Sequence, residues 1–244
     1  MDIGFLSAVE LAKKIREKEI SCVELLQHYL LRVDKYNESI NAIVVDLREQ
    51  ALEEAKRLDN MVASGEQLGP LHGVPMTVKE SYNVSGTPTT FGNPAFKDNV
   101  TKTDAESIKK LKQAGANIFG KTNVPLGLAD FQSYNDIYGT TNNPYDLERI
   151  PGGSSGGSAA ALSAGLTGLE TGSDIGGSIR NPAHFCGVFG HKPTYDLLWG
   201  KGHSPIEGNR AFSDISVIGP LGRSAIDLDA SIRVGAGPDS IRAR

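Results

Sequence analysis

The sequence predicts an α/β fold, and three observations carry that prediction. Amphipathic segments of helical period alternate along the chain with short apolar runs of strand length. Two of the helical segments open on paired capping residues. Glycine is abundant, and many of the 28 glycines cluster between Gly152 and Gly190, where backbone must turn tightly or approach something closely.

The elements follow in order. Ser7-x-x-Glu10 and Ser21-x-x-Glu24 are capping boxes, each opening a helix. After the second, Val23, Leu26, Leu30 and Val33 recur at helical spacing. Residues 42–45 form a short strand, and 46–63 a further amphipathic helix that stops near Gly65. The run 71–78 reads as a buried strand leading into Lys79, Glu80 and Ser81. A helix over 104–114 closes at Gly115, and a short strand follows over 117–119. Residues 132–158 are polar and turn-rich. A buried helix of small residues is expected over 159–164, with strands at 166–171, 187–190 and 213–218. An amphipathic helix over 224–234 comes last, and Ala236-Gly237-Pro238-Asp239 reads as a loop.

Composition narrows the function classes. The 244 residues can bury a real core, with 39% apolar and 22% charged side chains. A net charge of −4 gives no reason to expect nucleic acid or an anionic membrane as partner. No apolar run is long enough to span a bilayer, and the N-terminus lacks the pattern of a signal peptide. Cys22 and Cys186 make no disulfide framework, so a reducing cytoplasm is the expected location. Metal sites need ligand clusters such as HExxH or CxxC, and none is present, so neither metal nor cofactor is expected.

Several motifs compete. Gly152-Gly-Ser-Ser-Gly-Gly-Ser158 lacks the Gly-Lys-Ser/Thr end of a phosphate-binding loop. Within it, Gly153-Ser-Ser155-Gly-Gly157 matches the nucleophile elbow of α/β-hydrolases, but that motif needs a preceding strand, and 142–151 has no strand pattern. Ser107-x-x-Lys110 has the spacing of penicillin-binding enzymes without their companion motifs, and reads as a solvated helix face. Cys186 reads as a small core residue. In Thr171-Gly-Ser-Asp-Ile-Gly-Gly-Ser178, converging N–H groups at the glycines could hold an oxyanion beside the Ser178 hydroxyl. On pattern alone, Ser178 as a helix N-cap is the more ordinary reading. Lys79 at the end of a buried strand is unusual, because burying an ammonium is costly and lowers its pKa toward that of a usable base. A lysine paired with Glu80, or snorkelling to solvent, is the ordinary alternative.

Taken together, these residues resemble the amidase signature family. The resemblance rests on Gly152-Gly-Ser-Ser-Gly-Gly-Ser-Ala-Ala-Ala161, Gly172-Ser-Asp-Ile-Gly-Gly-Ser-Ile-Arg-Asn-Pro182 and Phe185-Cys-Gly-Val-Phe-Gly-His-Lys-Pro-Thr194, in that order and spacing. Gly73-Val-Pro-Met-Thr-Val-Lys-Glu80, Gly120-Lys-Thr-Asn123, Gly139-Thr-Thr-Asn-Asn-Pro144 and Val217-Ile-Gly-Pro-Leu221 fit as well, so it covers nearly the whole chain.

The resemblance implies a mixed central sheet covered by helices, with a helical region 1–65 packing on an α/β core 66–244. It implies Ser178 as nucleophile, Ser154 as bridging serine and Lys79 as base. The N–H groups of Ile175, Gly176, Gly177 and Ser178 would form the oxyanion hole. Ser155, Asp174 and Arg180 would support the loop. The implied activity is hydrolysis of a small carboxylic amide. One alternative is a glutamyl-tRNA(Gln) amidotransferase A-type subunit, which works on misacylated tRNA together with partner subunits. Another is a truncated non-catalytic homologue. Family members are generally much longer, which implies that this is the N-terminal portion without the C-terminal half. Leu126, and the stretch after Tyr195, depart from the usual pattern.

Overall fold

A computed structural model describes residues 2–206 and 214–237. Helices α1 (Ala8–Arg16) and α2 (Cys22–Ile40) both start at the expected capping boxes: Ser7 and Ser21 accept the N–H groups of Glu10 and Glu24, and each glutamate reaches back to its cap. Helix α2 buries Leu25, Leu26, Tyr29, Leu30 and Val33 along one stripe and ends where Asn41 turns left-handed. Strand β1 (Ile43–Asp46) leads into α3 (Arg48–Ser64), which stops at Gly65 with φ of 74°. Strand β2 (Pro75–Lys79), helix α4 (Glu106–Gln113) and strand β3 (Asn117–Thr122) follow. A small hairpin, β4 (Tyr134–Asn135) and β5 (Gly139–Thr140), sits in the turn-rich segment. The remaining elements are α5 (Gly156–Ser163), β6 (Glu170–Asp174), α6 (Arg180–Phe185), β7 (Phe189–Gly190), β8 (Val217–Gly222) and α7 (Ala225–Gly235).

The strands form two three-stranded sheets beside the hairpin among the described residues, not one continuous sheet. The first has the order β1-β3-β2, with β1 antiparallel and β2 parallel to β3. The second has the order β6-β8-β7 and is antiparallel throughout. They meet where β2 passes β6. A ladder is replaced there by individual bonds: Gly168 N–H donates to Pro75 O at 3.0 Å, and Thr77 N–H donates to the Thr167 hydroxyl at 2.9 Å. A side chain standing in for a carbonyl satisfies the strand but interrupts the sheet.

Several expected elements shift. The strand expected over 166–171 is β6 at Glu170–Asp174, because Gly165 (φ 66°) and Gly168, held against Pro75 O, keep the apolar residues before it in a connection. The small-residue helix begins at Gly156, three residues early. The strand expected over 213–218 is β8 at Val217–Gly222. Ser213, and Pro238 and Asp239 of the expected terminal loop, lie outside the described residues.

Helix α5 packs against strands of both sheets, which explains its composition. Its residues from Gly156 to Leu162 are buried, and only side chains of glycine, serine and alanine size let its first turns reach neighbouring backbone. A Cβ on Gly157 would lie 2.4 Å from Asn123 N and 2.9 Å from Ala42 O. One on Gly176 would meet nothing within 4 Å. Gly157→Ala is therefore expected to lose about 1–3 kcal/mol or more in chemical denaturation, as overpacking against rigid backbone does. Gly176→Ala is expected to stay within about 0.5 kcal/mol of wild type.

Candidate active site

Strand β2 delivers Lys79 into the junction between the sheets, where it is 0% exposed. Its Nζ donates to Ser154 Oγ at 2.6 Å and to Ser173 Oγ at 3.0 Å. It neither snorkels nor pairs with Glu80. The Glu80 carboxylate instead accepts the N–H groups of Thr90 and Phe91 at 2.7 and 3.0 Å. Burial pushes Lys79 from 10.5 down to about 7, against the opposing pull of Asp174, Glu170 and Glu80. A large fraction of the lysine is then a neutral amine with a free lone pair at physiological pH.

Ser154 follows a cis Gly153–Ser154 peptide bond and is 1% exposed, just before α5. Ser155 N–H donates to Ser178 O at 3.1 Å, which ties the glycine–serine segment before α5 to the loop after β6. Ser155 Oγ turns inward to Ser173 O at 3.5 Å and does not face the site opening. No strand precedes it, so the elbow geometry is absent.

Ser178 sits half-buried at the rim of the same junction. It is not a helix cap, because Ile179 occupies the N-cap position of α6. Lys79 and Ser154 are in direct contact, whereas the hydroxyls of Ser154 and Ser178 make no hydrogen bond with each other among the described residues.

The loop between β6 and α6 is organised by Asp174. Its carboxylate accepts Gly177 N–H at 2.9 Å, Ile179 N–H at 3.1 Å and Arg180 N–H at 3.3 Å. The Arg180 guanidinium adds a two-pronged contact at 3.0 and 2.9 Å. Burial alone would raise Asp174, but the Arg180 guanidinium and the three N–H groups outweigh it and hold the acid at about 2. The expected set of four oxyanion donors is thereby reduced, since Gly177 N–H is committed to Asp174. The N–H groups of Ile175, Gly176 and Ser178 have no partner among the described residues. Ile175 and Gly176 are exposed and Ser178 is half-buried.

Sequence reasoning missed the second partner of Lys79. Ser173 lies inside the glycine-rich motif, which has the composition of a loop, and only the strand alternation of β6 turns Ser173 toward the lysine. Tyr82 was missed as well: its hydroxyl donates to Gly172 O at 2.6 Å and accepts from Thr171 Oγ1 at 3.2 Å. The rival motifs resolve as structure. Cys186 is buried, its thiol directed at Pro151 O and pushed up to about 12 by burial. Lys110 is not on a solvated face, since its Nζ caps the carbonyls of Gly235, Ala236 and Gly237 at the end of α7. Among the described residues no group of three His, Cys, Asp or Glu side chains could hold a metal ion.

Comparison with known proteins matches residues 24–243 to the family described as Amidase. Fatty-acid amide hydrolase 2-A of Danio rerio is 42% identical over 242 residues, covering 96% of this chain and 45% of the relative. The A-type subunit of glutamyl-tRNA(Gln) amidotransferase from Carboxydothermus hydrogenoformans is 41% identical over 240 residues, covering 98% of this chain and 48% of the relative. A solved structure of fatty acid amide hydrolase superposes with a TM-score of 0.88 at 34% identity, over 94% of this chain and 40% of that one. The chain thus spans about half the length of the curated relatives it matches.

Asp174→Asn is expected to cost about 3 kcal/mol, since charge-assisted bonds are lost and an amide N–H group is turned on other N–H groups. Arg180, with its side chain 55% exposed, is expected to cost about 1 kcal/mol or less as Arg180→Ala. Because Asp174 titrates below its unfolded value, the wild-type advantage over Asp174→Asn should be full above 3.8 and vanish as pH falls through about 2. Urea denaturation against pH checks both.

Proposed function

This chain belongs to the amidase signature family, and we propose that it hydrolyses a small carboxylic amide through an acyl-enzyme on Ser178. The observation that carries the reading is the buried 2.6 Å contact between a lysine held near neutral pKa and a serine hydroxyl. That pair is a base with a proton conduit, and Ser178 stands beside it, linked through the Ser155 N–H bond.

In the proposed reaction, neutral Lys79 takes the Ser154 hydroxyl proton as Ser154 takes the proton of Ser178. This step requires the Ser178 hydroxyl to come within hydrogen-bond reach of Ser154. Ser178 Oγ attacks the amide carbon, and the oxyanion is held by the N–H groups of Ile175, Gly176 and Ser178. Gly177 joins them only if it leaves Asp174. Ser154 then returns a proton to the amide nitrogen and regains one from Lys79, so the C–N bond breaks and a neutral amine or ammonia departs. Water adds to the ester by the same relay, giving the carboxylic acid and free Ser178. No residue in this scheme needs a metal or organic cofactor.

The substrate is proposed at the level of a small amide. Both cysteines are free and buried, which fits a reducing cytoplasm. No helix among the described residues is long and apolar enough to cross a membrane.

Ser178→Ala and Lys79→Met should each lower amide turnover at least about a thousandfold, while Ser155→Ala keeps a measurable fraction. An active Ser178→Ala, or equal loss in Ser155→Ala, would overturn the assignment. Because only the unprotonated amine is a base, fluorophosphonate labelling of Ser178 should climb with pH through about 7 and fall tenfold per unit below it. A rate flat from pH 5 to 9 would contradict the role of Lys79.

A further inference from the structure

One buried acid has no part in the proposed relay. Glu170, the first residue of β6, is 0% exposed. Its Oε1 accepts from Thr77 Oγ1 at 2.5 Å, and its Oε2 accepts Thr171 N–H at 3.1 Å. The Ser158 and Thr122 hydroxyls, 2.9 Å apart, face the same carboxyl. These partners come from β2, β3, β6 and α5, and all are neutral. Among the described residues no Lys, Arg or His lies within ion-pair distance of it. Asp174, on the same strand, has the Arg180 guanidinium.

We propose that Glu170 is a positioning residue for Lys79, kept as a neutral carboxylic acid by burial with no cation against it: it fixes Thr77, two residues before the lysine on β2, without placing an anion behind the base. The inference rests on the reading of Lys79 as the base. A buried carboxylate facing only neutral donors is costly. Were it ionised, it would favour the Lys79 ammonium and remove the lone pair the reaction uses. Burial raises Glu170 to about 8, against the pull of Thr77, Ser158, Thr171 and Thr122.

The other titratable groups nearby do not supply a counter-charge. Glu80 and Tyr82 follow β2, and Asp174 ends β6. His203, from the segment after β7, bonds Ser81 Oγ at 2.8 Å and is held neutral by burial and by Lys79. Lys121 of β3 donates to the Pro88 carbonyl and to Thr89 Oγ1, and the acid that acts on it is Glu80. Helix α5 and strand β8 contain no titratable side chain.

The sign of the pH effect follows. A carboxyl whose folded pKa is raised contributes stability below its unfolded value and loses it as pH rises through the folded value. Relative to Glu170→Gln, the wild-type melting temperature should therefore fall as pH rises from 4.5 to about 8. Lys79 contributes the opposite slope above about pH 7 in both proteins, so the difference isolates Glu170.

Glutamine imitates the neutral acid. Glu170→Gln should label with fluorophosphonate within about threefold of wild type, with its acid limb unmoved, whereas Glu170→Leu, which leaves Thr77 unpartnered, should be at least about tenfold slower. A limb displaced to lower pH in Glu170→Gln would make Glu170 an anionic counter-ion and overturn the proposal. So would melting curves that run parallel, or full reactivity in Glu170→Leu. Infrared spectra of wild type carrying 13C-labelled glutamate need no variant. A protonated carboxyl band persisting at pH 7 supports the neutral acid, and its absence overturns it. If wild type fails to label at all, the proposed function falls, while melting and infrared data still decide the state of Glu170.

Discussion

An ammonium group removed from water with only hydroxyls for partners is the constraint on which the rest of this structure depends. Lys79 has Ser154 and Ser173 within hydrogen-bond reach and no carboxylate against it. A displacement from 10.5 to about 7 corresponds to on the order of 5 kcal/mol of preference for the neutral amine. The fold must hold that arrangement against the solvation the charged form would gain. It does so by bringing β2, β6 and the first turn of α5 closer than ordinary side chains would allow. Hence the glycines and alanines of α5, and the Thr167 hydroxyl that replaces a ladder bond between the sheets.

Strand β6 shows how environment sets the state of an acid. Asp174 and Glu170 are four residues apart and both buried. Asp174 gathers a guanidinium and three N–H groups, so it stays ionised and shapes the loop that carries Ser178. Glu170 has no cation against it among the described residues, and burial, opposed by its hydroxyl and N–H donors, pushes it toward the protonated form. The anion lies at the exposed end, where it organises backbone donors. Glu170 lies at the inner end, bonded to Thr77 two residues before Lys79.

Much of the fold is legible in the sequence, for identifiable reasons. The capping boxes at Ser7 and Ser21 and the left-handed stop at Gly65 are local signals, and the helices start and end there. The strand expected from apolar content begins four residues before β6, because Glu-Thr-Gly-Ser-Asp has no apolar alternation: its side chains are buried for hydrogen bonding, not for hydrophobicity. Lys121 carries no signal for the same reason, and β3 runs three residues past its expected end. At the site, Lys79, Ser154 and Ser178 are identifiable only through their joint spacing. The commitment of Gly177 N–H to Asp174, and the open gap between the Ser154 and Ser178 hydroxyls, are matters of side-chain and peptide orientation that spacing does not encode.

The central claim is that Lys79 is a neutral amine near physiological pH. The direct measurement is a pH titration of the Lys79 side chain by NMR in 13C-lysine-labelled protein, with the resonance assigned by its loss in Lys79→Arg. A midpoint near 7, well separated from the exposed lysines, is the predicted result. A midpoint near 10.5 would mean that the ammonium is kept in the folded chain and would contradict the account.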